Sequence, residues 1–249
     1  MSDFEIFYSS YVIIKVMENL VDVALIILAA VANSGLQLGA GTLLLLYNES
    51  LGRRVRRTTR QVTRGFITGA FLLSLLLVST VMLLILLINS QPFTLEQLPT
   101  VAGLALAGAV IVFGLYFRGG KNTMLWIPGW MAKYFKKRAG KADSAAEGMA
   151  IGMMAVLGEL PFSLILIVIA ANSLLNLPQA VIILAIAGYA LITVMPLFIM
   201  KMLIKSGSSL AEIQRWRVKN KTFFRIFAGI CYITIAVFLI AFKILGNVN

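Results

Sequence analysis

The chain has 249 residues, of which 60% are hydrophobic and 13% charged, with 22 Lys and Arg against 10 Asp and Glu. Soluble domains carry roughly 25% charged residues, so a chain this poor in charge, with a mean hydropathy of +0.93, cannot clothe a water-facing surface. The net charge of +12 sits almost wholly in three short segments between apolar runs, a distribution that sets orientation in a bilayer and argues against a nucleic-acid partner.

Histidine is absent and Cys231 is the single cysteine. His-based zinc sites, His general bases, Ser-His-Asp triads and an intrachain disulfide are thereby removed. No metal site and no cofactor are expected. The residues before Asp22 mix polar and aromatic types, among them Asp3, Glu5, Lys15 and Glu18. They lack the basic start and small-residue cleavage site of a signal peptide.

About 20 apolar residues cross a bilayer as a helix, which satisfies every backbone group within the hydrocarbon. Six runs qualify, and the first covers residues 20–47. Asn33, Ser34 and Gln37 cluster in its middle among Gly35, Gly39 and Gly41, and Thr42 lies further inward. Asn33 and Gln37 are one helical turn apart and share a face. Their neutral polar groups suit coordination of an ion or substrate through oxygen, or capping of a helix broken at Gly39 and Gly41. Interhelical hydrogen bonds, worth about 0.6 kcal/mol each, explain them equally well, and both readings stay open.

A segment with Arg53, Arg54, Arg56, Arg57, Arg60 and Arg64 follows, then the second run at 66–88. The connection NSQPFTLEQLP, without Lys or Arg, leads to the third run at 101–117. The linker 118–145 is basic again, with Arg118, Lys121, Lys133, Lys136, Lys137, Arg138 and Lys141. Within it Trp126, Trp130 and Tyr134 recur at helical spacing ahead of the cations. Such a stretch fits a helix lying in the headgroup layer, rings at the interface and Lys133, Lys136, Lys137 and Arg138 toward anionic lipid. A loop with aromatic anchors and topogenic charge is the plainer alternative.

The fourth run, 146–171, contains Gly148, Gly152, Gly158 and Pro161. Proline removes one backbone hydrogen bond and clashes with the preceding turn, so this helix is expected to kink and free carbonyls near residue 157. Glu159 sits immediately before that break, about mid-bilayer. A carboxylate at such depth costs on the order of 2.5–3.5 kcal/mol, and so faces protein or a wet cavity. A proton or cation site, or a substrate ligand, is the functional reading; a hydrogen-bonded structural carboxyl is the bland one. The fifth and sixth runs are 179–202 and 223–245. Between them lie Lys201, Lys205, Arg215, Arg217, Lys219, Lys221 and Arg225, whereas NSLLNLPQ, between the fourth and fifth, has no cation. The positive-inside rule then makes the three basic segments cytoplasmic and both termini external.

Gln37-Leu38-Gly39-Ala40-Gly41-Thr42 and the aliphatics after it can be set beside Val156-Leu157-Gly158-Glu159-Leu160-Pro161 and its own following apolar run. Each segment opens a set of three spans of opposite direction. The predicted fold is therefore an all-α polytopic membrane protein, a single domain over 1–249. It has six transmembrane helices in two inverted three-helix repeats, about 20–117 and 146–245, with helices one and four kinked. Inverted repeats gather their sites near the midplane at interrupted helices.

This arrangement resembles the LysE superfamily, which includes amino-acid and metal-ion exporters and the CcdA/DsbD electron carriers. The resemblance covers residues 20–245 and is architectural. In the CcdA branch a cysteine adjoins proline in each half; here Phe162 follows Pro161 and nothing between Gly39 and Leu46 is cysteine, so thiol electron transfer does not carry over. The acidic-Gly-Asp and His-Asp motifs of metal-exporting branches are missing too.

The function expected is a secondary transporter or exporter of a small solute or ion, coupled to protons or cations through Glu159, in a cell membrane of prokaryotic type. The alternative is a non-transporting scaffold, assembly or lipid-handling subunit that binds a protein partner, or a second copy, through its basic loops. An enzyme is not expected, because no nucleophile–base pair or metal cluster is visible.

Overall fold

The computed structural model describes residues 3–35, 56–89, 98–111, 134–135, 137–138, 141–205, 212, 215–216 and 219–246. Among them the structure is helical throughout, with turns and no strand. Six helices carry it: α1 (Asp3–Ser34), α2 (Arg56–Asn89), α3 (Leu98–Ile111), α4 (Ala145–Asn176), α5 (Gln179–Lys205) and α6 (Lys221–Gly246).

The helix ends follow local chemistry. At the end of α1 the Gly35 amide donates to the carbonyls of Val31 at 3.2 Å and Ala32 at 3.1 Å. The Ser34 hydroxyl turns back onto the Val31 carbonyl at 2.7 Å. Helix α1, whose apolar part starts at Asn19, begins at Asp3, ahead of the first predicted run, and ends at Ser34 inside that run; residues 36–47 of the run lie outside the described residues.

Helix α4 opens with a capping box: the Glu147 amide donates to Ser144 Oγ, and the Ser144 amide donates to the Glu147 carboxylate, each at 3.2 Å. Such a cap stabilises a helix start by about 1 kcal/mol. Glu147 is thus a structural residue. The α4–α5 turn is set by Pro178, which cannot continue a helix; the Leu177 amide closes onto Leu174 O at 3.3 Å.

Among the described residues two helices are long and apolar enough to cross a membrane, Arg60–Ile88 with mean hydropathy 3.0 and Gln179–Leu203 with 2.5. Helix α4 makes a third if its two arms, Ala145–Leu160 and Ser163–Asn176, count as one span; they meet at 93°. The predicted kink in the fourth run lies there, at Pro161, a residue without an amide hydrogen to give the ladder. The apolar parts of α1 and α6, Asn19–Ser34 and Gly229–Ala241, are shorter. Helix α3 has 14 residues, about 21 Å at 1.5 Å per residue, against about 30 Å of hydrocarbon.

The outward faces are as apolar as the core. Leu87 is 80% exposed, Ile183 81% and Met202 71%, and Leu84, Leu184, Leu191, Phe198 and Ile199 share those faces of α2 and α5. Contiguous apolar surface on this scale marks contact with lipid or another protein, not with water.

Inside, α1 packs against α4, α5 and α6, α2 against α4 and α5, and α3 against α6 and α4. The core between them is built from small residues of α1 (Ala29, Ala30, Ala32) set against Leu166, Ala170 and Leu174 of α4, Tyr189 of α5, and Tyr232 and Ile235 of α6. Small side chains let helices approach where the surroundings are already apolar and dispersion drives association.

The closest approach joins α2 to α4. A Cβ built on Gly65 would overlap the Ala145 carbonyl, and one on Gly69 that of Met149. From the other side, a Cβ on Gly148 would overlap the Val62 carbonyl and one on Gly152 that of Phe66. Backbone lies on backbone, through a Gly-x-x-x-Gly pair on each helix. The contacts advance together along both chains, so α2 and α4 run parallel and begin at the same end of the bundle. That end carries exposed cations of both basic segments, Arg60 and Arg64 from one, Lys137, Arg138 and Lys141 from the other.

Candidate functional site

The end of α1 brings Asn33 to the core side of the helix, 6% exposed. Its Nδ2 donates to the hydroxyl of Tyr189 on α5 at 3.2 Å. Tyr189 is itself 1% exposed, and one turn further along α5 the Thr193 hydroxyl donates to the Tyr189 carbonyl at 3.0 Å. Tyr232 of α6, fully enclosed, belongs to the same buried cluster. Its ring has room because residue 108 is glycine: a Cβ there would come within 2.8 Å of Tyr232 Cε1 and 2.9 Å of Ile165 Cδ1. Asn33 Oδ1 is buried and accepts no hydrogen bond. The site is a neutral, oxygen-bearing patch at the junction of α1 and α5.

Glu159 and Gly158 lie half-buried at the end of the first arm of α4, directly before the bend. Of the span-one polar group, Asn33 bonds Tyr189 and the Ser34 hydroxyl bonds its own helix. Gln37, Gly39, Gly41 and Thr42 lie outside the described residues, as do Trp126, Trp130, Lys133 and Lys136. Lys137 and Arg138 are exposed on a helical turn. There the Arg138 guanidinium stands 5.7 Å from the centroid of the Tyr134 ring, and Tyr134 meets the buried Phe135 edge to face at 5.7 Å. The Arg138 carbonyl accepts from the amides of Lys141 and Ala142, both at 3.0 Å, which closes the turn.

A second polar contact ties α1 to α4. Asn176 Nδ2 donates to the carboxylate of Asp22 at 3.1 Å, and Asp22 is 8% exposed. Asp22 and Asn33 are eleven residues apart, about three turns of helix, so they sit on one buried stripe of α1.

Tyr189, Tyr232 and the buried state of Asp22 escape a reading of the sequence. A tyrosine within an apolar run looks like filler, and only its depth in the bundle shows that its hydroxyl must find a partner. Asp22 near the end of a run looks like an interfacial charge until Asn176 is folded over it. No group of three or more His, Cys, Asp or Glu that could hold a metal ion occurs among the described residues.

Comparison with known proteins adds nothing: no family model, no curated protein and no solved structure matches the chain.

Proposed function

We propose that the chain is a polytopic membrane protein that moves a small solute or ion across a bilayer, with Glu159 as the group that carries the coupling proton or cation. The observation that carries this reading is the position of Glu159: a half-buried acid in an apolar helix, two residues before Pro161. Interrupted helices leave backbone carbonyls without intrahelical partners, and transporters use such breaks to bind ions and substrates. Intramembrane ionisable groups are costly, and function is the usual reason to keep them.

The same reading takes the chain as six spans in two inverted halves, α1–α3 and α4–α6, of the kind the LysE superfamily resemblance implies. The pattern of helix contacts supports it. Exchanging α1 with α4, α2 with α5 and α3 with α6 turns the α1–α5 contact into α4–α2 and the α1–α6 contact into α4–α3. It maps α1–α4, α2–α5 and α3–α6 onto themselves, and all of these are main contacts of the fold. The α4–α5 contact, at the tight turn through Pro178, has no counterpart among them. The parallel course of α2 and α4, with cations at their shared end, is what alternating spans with basic cytoplasmic loops require.

Glu159→Gln tests the reading, because it keeps shape and hydrogen bonding and removes only the titratable group. The variant protein should insert and remain folded, while flux and its dependence on pH collapse. Glu159→Leu should in addition lower thermal stability, by about 1–3 kcal/mol, through polar partners left unmatched. A folded Glu159→Gln protein with full flux or full complementation would exclude the coupling role and favour a membrane scaffold that works through its basic end.

A further inference from the structure

We infer that the C-terminal end of α1 binds one alkali-metal cation, with Asn33 Oδ1 as the buried side-chain ligand and Tyr189 as the residue that positions it. A part for this site in transport, beside Glu159, rests on the transporter reading above; as a binding site it stands on its own geometry.

Two independent features point to a cation. One is Asn33 itself: its amide nitrogen is committed to Tyr189, so the oxygen is turned away from that bond and buried without a donor. Leaving a buried polar atom unsatisfied costs about 1–3 kcal/mol, and the arrangement is explained if a positive group occupies the place beside it. The other is the helix end. Helix α1 stops at Ser34, one residue after Asn33, within the bundle and not at its rim: the Gly35 Cα faces the ring of Phe227 on α6, whose Cδ1 lies 3.5 Å from where a Cβ would stand. The last turn of a helix concentrates the negative end of its dipole. Half-helix C-termini coordinate sodium in transporters built on inverted repeats.

The charge of the site selects the ion. Asn33, Ser34, Tyr189 and Thr193 are all neutral, and neither Asn33 nor Ser34 bonds a carboxylate. Calcium and magnesium are held through carboxylates that offset two positive charges, and moving an uncompensated double charge among these apolar helices is far costlier than moving a single one. Oxygen ligands exclude the soft metals that want thiolate. A monovalent ion of the sodium or potassium kind fits what remains.

The Tyr189 hydroxyl fixes the amide. With the bond to Nδ2 in place, Oδ1 is the end of the amide left over for a cation; without it the amide is free to turn end for end and present its NH2 group instead.

The test is a thermal-unfolding titration of the purified full-length protein in detergent or nanodiscs, with NaCl, KCl and choline chloride compared at equal ionic strength. Sodium or potassium should raise the Tm saturably over choline, by about 3–6 °C at ten times the dissociation constant for a chain of this size. Asn33→Leu should abolish that rise. Asn33→Asp, which keeps an oxygen in place and adds a charge, should retain it at lower salt. Tyr189→Phe should need a several-fold higher cation concentration for the same rise. Equal Tm in all three salts overturns the site, as does a rise that survives Asn33→Leu or one that is lost in a folded Asn33→Asp protein. If Asn33→Leu fails to fold, the Asn33→Asp and Tyr189→Phe titrations decide alone. A cation-dependent Tm in a protein with no flux leaves the site standing and removes the transporter reading. Flux without a cation-dependent Tm removes the site alone.

Discussion

Two helix crossings in this molecule solve the same problem in opposite ways. Where α2 meets α4, Gly65, Gly69, Gly148 and Gly152 strip both surfaces to backbone. Where α1 meets α5, side chains stay, and the contact is made by the Asn33–Tyr189 hydrogen bond in an otherwise apolar core. Under the proposed exchange of halves these would be equivalent crossings. The alignment that sets Gly39 beside Gly158 places Asn33 opposite Gly152, a polar group against none. Glycine contacts are satisfied by shape alone and have one good geometry, so that crossing suits a fixed pivot. A hydrogen-bonded amide with a spare oxygen can trade partners, so its crossing suits the side that opens, binds or changes.

The glycine crossing should be the harder to perturb without collapse. Gly148→Leu or Gly65→Leu drives a side chain into a carbonyl of the facing helix, which cannot yield as a flexible side chain would. A loss of about 3 kcal/mol is expected, read as a fall in monodisperse yield and Tm in detergent. A Tm unchanged to within about 1 °C would break the comparison, since it would place these helices further apart.

The polar crossing should respond more mildly and in a coupled way. In choline buffer, Asn33→Leu leaves the Tyr189 hydroxyl buried without its partner and should cost about 1–3 kcal/mol. Tyr189→Phe alone removes one interhelical hydrogen bond, worth about 0.6 kcal/mol. A double-mutant cycle should return a coupling of the same size, and strict additivity would show that the two groups do not meet.

The smallest effect belongs to the basic end, which lies outside both crossings. Arg138→Gln removes an exposed cation stacked over Tyr134 and should move stability by no more than about 0.5 kcal/mol. It should instead weaken association of the 134–142 turn with anionic vesicles, where each cation contributes about 1 kcal/mol near a charged surface. A large stability loss would mean that this turn belongs to the packed core.

Much of the architecture was legible before folding, for physical reasons that act locally. Pro161 announces a break wherever it stands in a helix, because it lacks an amide hydrogen for the ladder. Pro178 and the Ser144-x-x-Glu147 capping box, which fix helix ends through backbone chemistry, came to light only with the structure. Apolar runs in α2 and α5 follow from hydropathy, because hydrocarbon tests each residue almost independently of its neighbours in space. Gly148 and Gly152 stood out among the small residues of the fourth run, but nothing in the letters says that Gly65 and Gly69 face them.

Pairing across helices is what only the tertiary structure decided. Asn33 offers the same amide to any neighbour, and it was α5 docking on α1 that gave it Tyr189 and left its oxygen over. Asp22 became a buried acid when α4 laid Asn176 against it. Ser34, next to Asn33 in the same polar cluster, turned back onto the Val31 carbonyl of its own helix. Local composition and periodicity set where helices begin, break and end, since those depend on backbone bonds within a few residues. The partner of a buried polar group depends on which faces meet, and that is fixed by packing over the whole bundle.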